Sequence, residues 1–334
     1  MIKLLVPDMP SADDLLPYLR RIDAARVYVN RGPLVQELEA RLESITSVPC
    51  VTVSNGTVAL ELALNCAKRM GGTAHMPALT FSATGLAAHR AGLRVKLHDV
   101  AEDAWQMGAA QLGFKHTGDV IVPVATFGRP VETEQWENYH FPVVIDAAGA
   151  FPDQQCSRDP NIATCFSMHA TKFIGCGEGG FVASANKELI EKVRDLSMFG
   201  KGGTNAKMSE YHAVVALASL DRMSGKWKCE ERVTDWYVRH GEGLQLSSHG
   251  TLMNVLLPIV VTPELINDLR AAGIETKQWY RPYLDERAEF GAHQEGKFPV
   301  TNHLRTHLLG LPFHNFLTEA DVAHVCETLR RILK

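Results

Sequence analysis

A single lysine stands between an apolar run and a glycine-rich stretch in FSMHATKFIGCGEGGFV, residues 166–182. Ser167 precedes this lysine, Lys172, and Asp146 ends the apolar run PVVID earlier in the chain. Open α/β sheets bind ligands at the carboxyl ends of their strands, so we expect the Asp146 carboxylate to emerge at such a site. A lysine taken alone is usually a solvated surface charge. The acid and the hydroxyl are what single out Lys172.

A second candidate feature is SNGTVALELAL, residues 54–64, where a predicted strand ends and a helix begins. The N–H groups at such a helix start, here at Gly56 and Thr57, can hold a phosphate. Taken alone, the stretch is explained by a helix cap from Ser54 or Asn55. An acid, a lysine, a hydroxyl and a helix N-terminus together are the set that pyridoxal phosphate (PLP) needs. The lysine would form a Schiff base, the acid would pair with the pyridinium nitrogen, and the other groups would bind the phosphate.

Two other motifs favour simpler explanations. The glycines of residues 175–180 lead into the apolar run FVAS, whereas a dinucleotide fingerprint follows a strand and opens a helix, so we predict a tight loop. His303 and His307 have the spacing of zinc ligands, but Leu304 stands where a zincin has its glutamate. We therefore predict two surface histidines and no metal site. The sequence contains no GxSxG motif and no cysteine in a recognisable nucleophile context.

Composition excludes several classes of protein. The 334 residues include 46% hydrophobic and 22% charged residues, as in ordinary globular chains. The formal net charge is −4 and no basic cluster suggests nucleic-acid binding, while the most apolar stretch, 252–261, is too short to span a membrane. Seven irregularly spaced cysteines and an N-terminus without a secretory pattern predict a reducing, cytoplasmic location.

The elements that must position these residues alternate between strands and helices from residue 48 to residue 184. The predicted strands lie at 48–54, 94–100, 119–127, 142–146, 163–169 and 180–184. Several of them are nearly continuous apolar runs, as expected for strands buried on both faces. Helical patterns occupy 56–70, 82–92, 186–199 and 209–223. The alternation predicts an α/β fold with a mainly parallel sheet between helices.

After about residue 225 the pattern changes to a smaller αβ unit. Its predicted elements are a strand and two helices, at 252–261, 263–273 and 318–333. Thr318 and Asp321 predict a capping box for the last helix. We therefore predict two domains, a large one over residues 1–225 that includes an N-terminal arm and a small one over 226–334.

In the order of its segments the chain resembles the DegT/DnrJ family of PLP-dependent sugar aminotransferases, which have the fold type I aminotransferase architecture. Eight segments carry the resemblance: GPLVQELEARL (32–42), SNGTVAL (54–60), PALTFSAT (77–84), VPVATFGRPVE (122–132), VVIDAAGAF (143–151), FSMHATKFIGCGEGG (166–180), NAKMSEYHAVVALASL (205–220) and LPFHNFLTEADV (311–322). Together they cover most of the chain. The resemblance implies the same fold, PLP as the cofactor and a homodimer.

Carried over residue by residue, the resemblance implies that Lys172 bears the cofactor and that Asp146 pairs with its ring nitrogen. Phe81 would stack on the cofactor ring, with an ordinary core phenylalanine as the alternative. The phosphate would be bound within the subunit by Gly56, Thr57 and Ser167. Asn205 would reach the phosphate from a partner subunit, because the family's active sites lie at a dimer interface. A simple turn residue is the alternative for Asn205. The glycines at 200, 202 and 203 predict a loop that needs a neighbouring surface to become ordered.

Two departures from the family pattern affect the interpretation. Gly149 stands where the family usually has a glutamine that lies against the pyridine ring near its 3-hydroxyl. A hydrogen bond at that point must come from another group or from water. The chain is also shorter than typical members, with trimmed loops around 200–205 and in the small domain. Those loops help to form the sugar-nucleotide pocket in the family, so the sequence does not identify which sugar and which nucleotide the substrate contains.

The resemblance implies an amino transfer from an amino acid, glutamate by family analogy, to a keto group of a nucleotide-linked sugar for polysaccharide or glycoside biosynthesis. Lys172 would act as general base and acid, and Asp146 would keep the ring nitrogen protonated. One alternative is a sugar dehydratase of the same family, but those members replace the lysine by histidine. The other alternative is a non-catalytic regulator that binds PLP or a sugar nucleotide.

Overall fold

The computed structural model describes residues 1–68, 71–109, 112, 119–137, 139–199, 202–290 and 298–334. Within these ranges the chain forms ten α-helices and ten β-strands. The helices are α1 (Ala12–Ala25), α2 (Pro33–Thr46), α3 (Gly56–Ala67), α4 (Ser82–Arg90), α5 (Lys187–Ser197), α6 (Glu210–Asp221), α7 (Met223–His240), α8 (Pro263–Ala271), α9 (Pro299–His307) and α10 (Glu319–Ile332). The strands are β1 (Cys50–Val53), β2 (Thr73–Pro77), β3 (Arg94–His98), β4 (Val120–Ile121), β5 (Val143–Asp146), β6 (Ile162–Ser167), β7 (Gly180–Ser184), β8 (Gln245–His249), β9 (Leu252–Leu256) and β10 (Leu308–Leu311).

Seven of the strands form one sheet in the order β1-β7-β6-β5-β4-β2-β3. The pairs from β3 across to β6 are parallel, whereas β7 runs antiparallel to both β6 and β1. The antiparallel pairing of β6 and β7 follows from their connection, a loop that doubles back without a crossover helix. The predicted α/β fold with a mainly parallel sheet is confirmed.

Helices cover both faces of this sheet. Side chains of α1, α2 and α6 pack on one face, and those of α3, α4 and α5 pack on the other. Consecutive residues of β5 alternate between the two cores, with Val143 and Ile145 in the first and Val144 in the second. Because both faces are covered, the central strands are apolar at nearly every position, which is the pattern that predicted them.

Two strands of the large sheet differ from the prediction, and the small sheet has three strands where one was predicted, at 252–261. The sequence analysis does not identify β2, whose five residues include a histidine and a proline. The strand predicted over 119–127 is only two residues long, as β4. Pro123 lacks the N–H group that would extend the ladder, and the chain then turns at Phe127, which has a left-handed φ of 57°.

The four helices predicted for the large sheet, α3 to α6, lie close to their predicted positions, whereas the sequence analysis does not identify α1 and α2. α6 begins directly after Ser209, whose hydroxyl caps it. α3 ends at Ala67, and residues 69 and 70 of its predicted range lie outside the described part of the chain. No helix within the described ranges is both long and apolar enough to cross a bilayer.

The last third of the chain builds a second, smaller core. β8, β9 and β10 form an antiparallel sheet in the order β10-β9-β8, and α7, α8 and α10 pack with it. The predicted capping box of α10 is present at Thr318 and Asp321. The sequence analysis misses α7, an 18-residue helix, because its buried residues are only Lys226, Val233 and Tyr237. So few buried positions leave little helical periodicity to detect.

A buried carboxylate joins two helices on one face of the large sheet. Glu210, in the first turn of α6, is 1% exposed and accepts hydrogen bonds from the N–H groups of Leu34 (2.8 Å) and Val35 (3.2 Å). These N–H groups begin α2, which follows Gly32 and has no side-chain cap of its own. Glu210 therefore takes the place of a cap, and its negative charge also lies at the positive end of the α2 dipole.

Replacing Glu210 by alanine should lower the free energy of unfolding by about 2–3 kcal/mol, because two buried N–H groups lose their acceptor. Chemical denaturation followed by circular dichroism measures the change. The matched control is Glu188→Ala, which removes an exposed pair with Lys192 and should cost less than about 0.5 kcal/mol. Equal losses in the two variants would contradict the role given to Glu210.

Candidate active site

A cavity of about 710 Å³ opens at the carboxyl ends of β2, β4, β5 and β6. Its remaining walls come from the turn between β8 and β9 and from the segment 277–280. Six of the seven predicted site residues line it: Gly56, Thr57, Phe81, Asp146, Ser167 and Lys172. Residues far apart in the sequence thus converge at the sheet edge where the strand pattern places ligands.

Lys172 lies on the loop that doubles back between β6 and β7. The Ala170 N–H donates to the Gly177 carbonyl oxygen (2.9 Å), which closes the loop. Gly177 has a φ of +89°, and a Cβ on Gly175 would lie 2.5 Å from the Ala170 carbonyl oxygen. Glycine is therefore required at both positions. The predicted tight glycine loop before a strand is confirmed.

Two side chains from neighbouring helices hold the same loop. The Ser219 hydroxyl of α6 donates to the carbonyl oxygen of Gly175 (2.7 Å), and the Lys226 ammonium of α7 donates to that of Phe173 (3.0 Å). Both donor residues are buried. The sequence analysis misses them, because a serine or a lysine within a helical pattern shows no distinguishing signal before the packing is known.

The Asp146 carboxylate is buried at the end of β5 and held by two donors. The Thr84 hydroxyl donates to its Oδ2 (2.6 Å) and the Ala148 N–H donates to its Oδ1 (3.1 Å). Burial raises the pKa of Asp146, and the two hydrogen bonds and the Lys172 charge oppose this effect. Burial likewise lowers the pKa of Lys172, opposed by the Asp146 charge. A positively charged group entering the cavity would favour the ionised form of Asp146.

The N-terminus of α3 opens onto the cavity beside Ser167. The Asn55 side chain caps this helix, and the N–H groups of Gly56 and Thr57 have no partner among the described residues. A Cβ on Gly56 would lie 2.8 Å from the Ser167 Cβ, so glycine allows the helix to approach the end of β6. The Ser167 Oγ accepts from the His169 N–H (3.2 Å), and its own hydrogen can still be donated. Asn55 therefore caps the helix while the N–H groups of Gly56 and Thr57 stay available to a ligand.

Aromatic side chains form another wall. Phe81 directly precedes α4 and is 57% exposed, so the alternative of a core phenylalanine is wrong. Its ring meets the Tyr280 ring edge-on, with centroids 5.8 Å apart. Tyr280 also stacks on Phe127, at 5.3 Å and 24° between ring planes. The sequence analysis does not single out Tyr280, although the adjacent aromatic pair that it forms with Trp279 could have drawn attention to the segment.

Asn205 does not line the cavity of its own chain. It is exposed, has a left-handed φ of 50°, and its side-chain oxygen accepts a hydrogen bond from Lys207. Nearby, the Thr204 N–H donates to the Leu196 carbonyl oxygen (2.9 Å). The described part of this loop therefore makes hydrogen bonds within its own chain, and the expected contact with a neighbouring surface stays a prediction. Gly200, the first of those glycines, lies outside the described residues.

The paired histidines lie on α9 and do not line this cavity. The rings of His303 and His307 stack on each other with centroids 4.2 Å apart. Across the described residues, no group of three His, Cys, Asp or Glu side chains is arranged to hold a metal ion.

The donor set of the cavity fits PLP. A buried amine is available for its aldehyde, a buried carboxylate for its ring nitrogen, and hydroxyl and N–H groups at α3 for its phosphate. Gly56 provides the close approach that brings the last two kinds of donor together. The cavity volume of about 710 Å³ lies within the range of small-molecule sites.

Known relatives of the chain are sugar aminotransferases. It is 26% identical to the dTDP-4-amino-4,6-dideoxy-D-glucose transaminase of Shigella dysenteriae, with 98% of this chain and 97% of that protein covered. It is 27% identical to the UDP-N-acetyl-3-dehydro-alpha-D-glucosamine 3-aminotransferase of Acidithiobacillus ferrooxidans, with 100% and 97% covered.

Solved structures agree with this relationship. A Bacillus cereus protein described as a PLP-dependent aminotransferase superimposes with a TM-score of 0.91 at 29% identity, with 98% of this chain and 99% of that chain covered. DesI, solved with its TDP-sugar product, superimposes with a TM-score of 0.89 at 27% identity, with 98% and 93% covered. The predicted fold type I architecture is thereby confirmed. Residues 11–330 match the family model, and the chain belongs to the DegT/DnrJ/EryC1/StrS aminotransferase family.

Proposed function

We propose that this protein is a PLP-dependent aminotransferase that moves an amino group from an amino acid, with glutamate as the expected donor, to a keto group of a nucleotide-linked sugar. The observation that carries the proposal is the convergence of Lys172, Asp146 and the N-terminus of α3 on one cavity. The two curated relatives act on dTDP-linked and UDP-linked sugars, which supports the substrate class. The amino sugar produced would serve polysaccharide or glycoside biosynthesis.

Lys172 and Asp146 have the central roles in this proposal. When bound, PLP supplies an electron sink for the negative charge that develops on the α-carbon of the donor amino acid. Lys172 Nζ would hold the cofactor until the amine of the donor displaces it, and the lysine amine so released would then take the proton from that α-carbon. Burial lowers the pKa of Lys172, which favours the neutral amine that can accept the proton. The Asp146 carboxylate holds a proton on the ring nitrogen, and the resulting positive charge favours its ionised form.

The remaining cavity residues orient the cofactor. The phosphate is received by the N–H groups of Gly56 and Thr57 together with the hydroxyl of Ser167, all at the start of α3 or beside it. Phe81 offers its exposed ring as a flat apolar surface for the pyridine ring. Lys172 also argues against the dehydratase alternative, because it provides the amine that amino transfer requires.

We further propose that the working unit is a homodimer in which Asn205 of one subunit reaches the phosphate site of the other. Asn205 is exposed and stands outside the cavity of its own chain. Large apolar side chains near it in the sequence are also exposed, namely Phe199 at 61% and Tyr211 at 51%. Tyr211 stacks on Tyr28, 46% exposed, with centroids 6.2 Å apart. A second copy of the chain would cover this surface.

Two further proposals concern location and domains. All seven cysteines are free thiols, which favours the reducing cytoplasm. The separate cores of the large and the small sheet support a division into residues 1–225 and 226–334, with α7 at the boundary.

Replacing Lys172 by alanine should abolish covalent PLP binding, its visible absorbance and nearly all turnover, because no other amine takes its place. Borohydride reduction of the wild-type protein with PLP, followed by peptide mapping, identifies the labelled lysine. Lys277→Ala is the matched control, since Lys277 lines the same cavity and its loss should leave the label in place. A label on any lysine other than Lys172 would overturn the assignment.

Asp146→Asn keeps the size of the side chain but removes its charge, so turnover should fall by several orders of magnitude while PLP binding through the phosphate weakens less. Thr84→Val should give a smaller loss, about tenfold, because Asp146 keeps its charge and loses one hydrogen bond. Steady-state kinetics and PLP titrations test whether turnover falls more in Asp146→Asn than in Thr84→Val. Near-normal turnover in Asp146→Asn would refute the electron-sink role.

A shared site can be tested by subunit exchange. Lys172→Ala and Asn205→Ala variants are each expected to have low activity, and mixing them should raise activity above that of either parent. The reason is that a mixed dimer has one site with both lesions and one site with neither. Native mass spectrometry confirms the exchange. Mixed dimers without recovered activity would place Asn205 in its own subunit's site or outside the site.

A further inference from the structure

The cavity wall beside Lys172 carries no side chain at Gly149. A Cβ built on Gly149 would lie 3.8 Å from Lys172 Nζ and 3.6 Å from the Gly128 Cα. The Gly149 carbonyl oxygen packs so closely against Gly128 and Gly250 that a Cβ on either would come within 2.7 Å of it. On the side of Gly149, the cavity wall next to the Lys172 amine therefore consists of backbone atoms. Position 149 has no side chain that could donate a hydrogen bond.

A tyrosine from another part of the chain, Tyr280, lines the same cavity. Its ring stacks on Phe127, the residue before Gly128, and meets Phe81 in an edge-to-face contact. Trp279, next to Tyr280, donates its indole N–H to the Asn254 side-chain oxygen of β9 (2.9 Å), which anchors the segment to the small sheet. These contacts fix the Tyr280 ring in the cavity wall.

The Tyr280 hydroxyl has no hydrogen-bond partner among the described residues. Tyr283 in the same segment differs, because its hydroxyl donates to the Arg305 carbonyl oxygen (3.2 Å). Burial and the nearby Asp146 charge raise the pKa of Tyr280, so the phenol keeps its proton. A protonated, unpartnered phenol that lines a cavity is a hydrogen-bond donor available to a ligand.

We propose that Tyr280 is a cofactor-binding residue whose hydroxyl donates a hydrogen bond to the ring oxygen of PLP, at the side where Gly149 offers no donor. This inference rests on the proposed function. Apart from its phosphate and its aldehyde, PLP carries one oxygen, on ring carbon 3. The phosphate is served by the N-terminus of α3, so the ring oxygen is the acceptor left for Tyr280. The hydrogen bond connects the cofactor to the small sheet through Trp279.

A donor at the ring oxygen also has a predictable effect on Lys172. Negative charge on that oxygen stabilises the proton on the lysine nitrogen joined to PLP, and a hydrogen bond from Tyr280 withdraws part of that charge. Tyr280 therefore lowers the pKa of this nitrogen in the PLP-bound protein. Without the hydroxyl, the proton should be retained to higher pH.

The test compares Tyr280→Phe with Tyr283→Phe in the full chain with PLP. Tyr280→Phe keeps the stacked ring and removes one donor, so we expect the Kd for PLP to rise about 3- to 10-fold. The pH midpoint of the visible absorbance of the bound PLP should move upward. Tyr283→Phe removes a hydroxyl that is satisfied within the protein and should change neither value. Fluorescence titration gives the Kd, absorbance titration gives the midpoint, and circular dichroism verifies that both variants are folded.

The outcomes separate this inference from the function on which it rests. A wild-type protein that forms no PLP absorbance would overturn both. A wild-type protein that binds PLP, with an unchanged Kd and midpoint in Tyr280→Phe, would overturn the role of Tyr280 alone. The same two changes appearing equally in Tyr283→Phe would assign them to the segment as a whole, and would likewise reject a specific hydrogen bond from Tyr280.

Discussion

The site depends on keeping one amine and one carboxylate in the same buried cavity. Removing charges from water is costly, and here the cost is reduced by donors to Asp146 and by the mutual attraction of Asp146 and Lys172. The rest of the architecture serves this constraint. The sheet brings Asp146 to its carboxyl edge, Thr84 approaches from α4, and α6 and α7 hold the loop that carries the lysine.

Glycines determine how closely the elements of the site approach one another. The start of α3 contacts the end of β6 because position 56 has no Cβ, and the lysine loop closes because position 175 has none. At Gly128 and Gly250 the same property brings the turn between β8 and β9 against the loop after β5. Close backbone contacts at these glycines therefore set the spacing of the elements whose side chains line the cavity.

Residues at strand ends were predictable from the sequence, whereas those that act across distant segments were not. Asp146 ends one apolar run, Ser167 lies near the end of another and Lys172 follows it, so the strand pattern placed them near one sheet edge. Thr84 donates a hydrogen bond to Asp146, 62 residues further along the sequence, and Lys226 donates one to Phe173, which is 53 residues away. Local sequence patterns do not predict pairs that are so far apart. Tyr280 belongs to a segment without regular secondary structure, which periodicity does not detect. The missed helix α7 shows the same limit, because few of its residues are buried.

The residues that line the cavity come from two parts of the chain. Lys172, Asp146 and the start of α3 belong to the part of the chain that builds the large sheet, while residues 251–252 and 277–280 come from the part that contains the small sheet. Apart from Tyr280, residues of the second set can therefore mutate during evolution without altering the amine or the acid. After a gene duplication, such changes would reshape the cavity while the amine, the acid and their supporting hydrogen bonds are inherited intact.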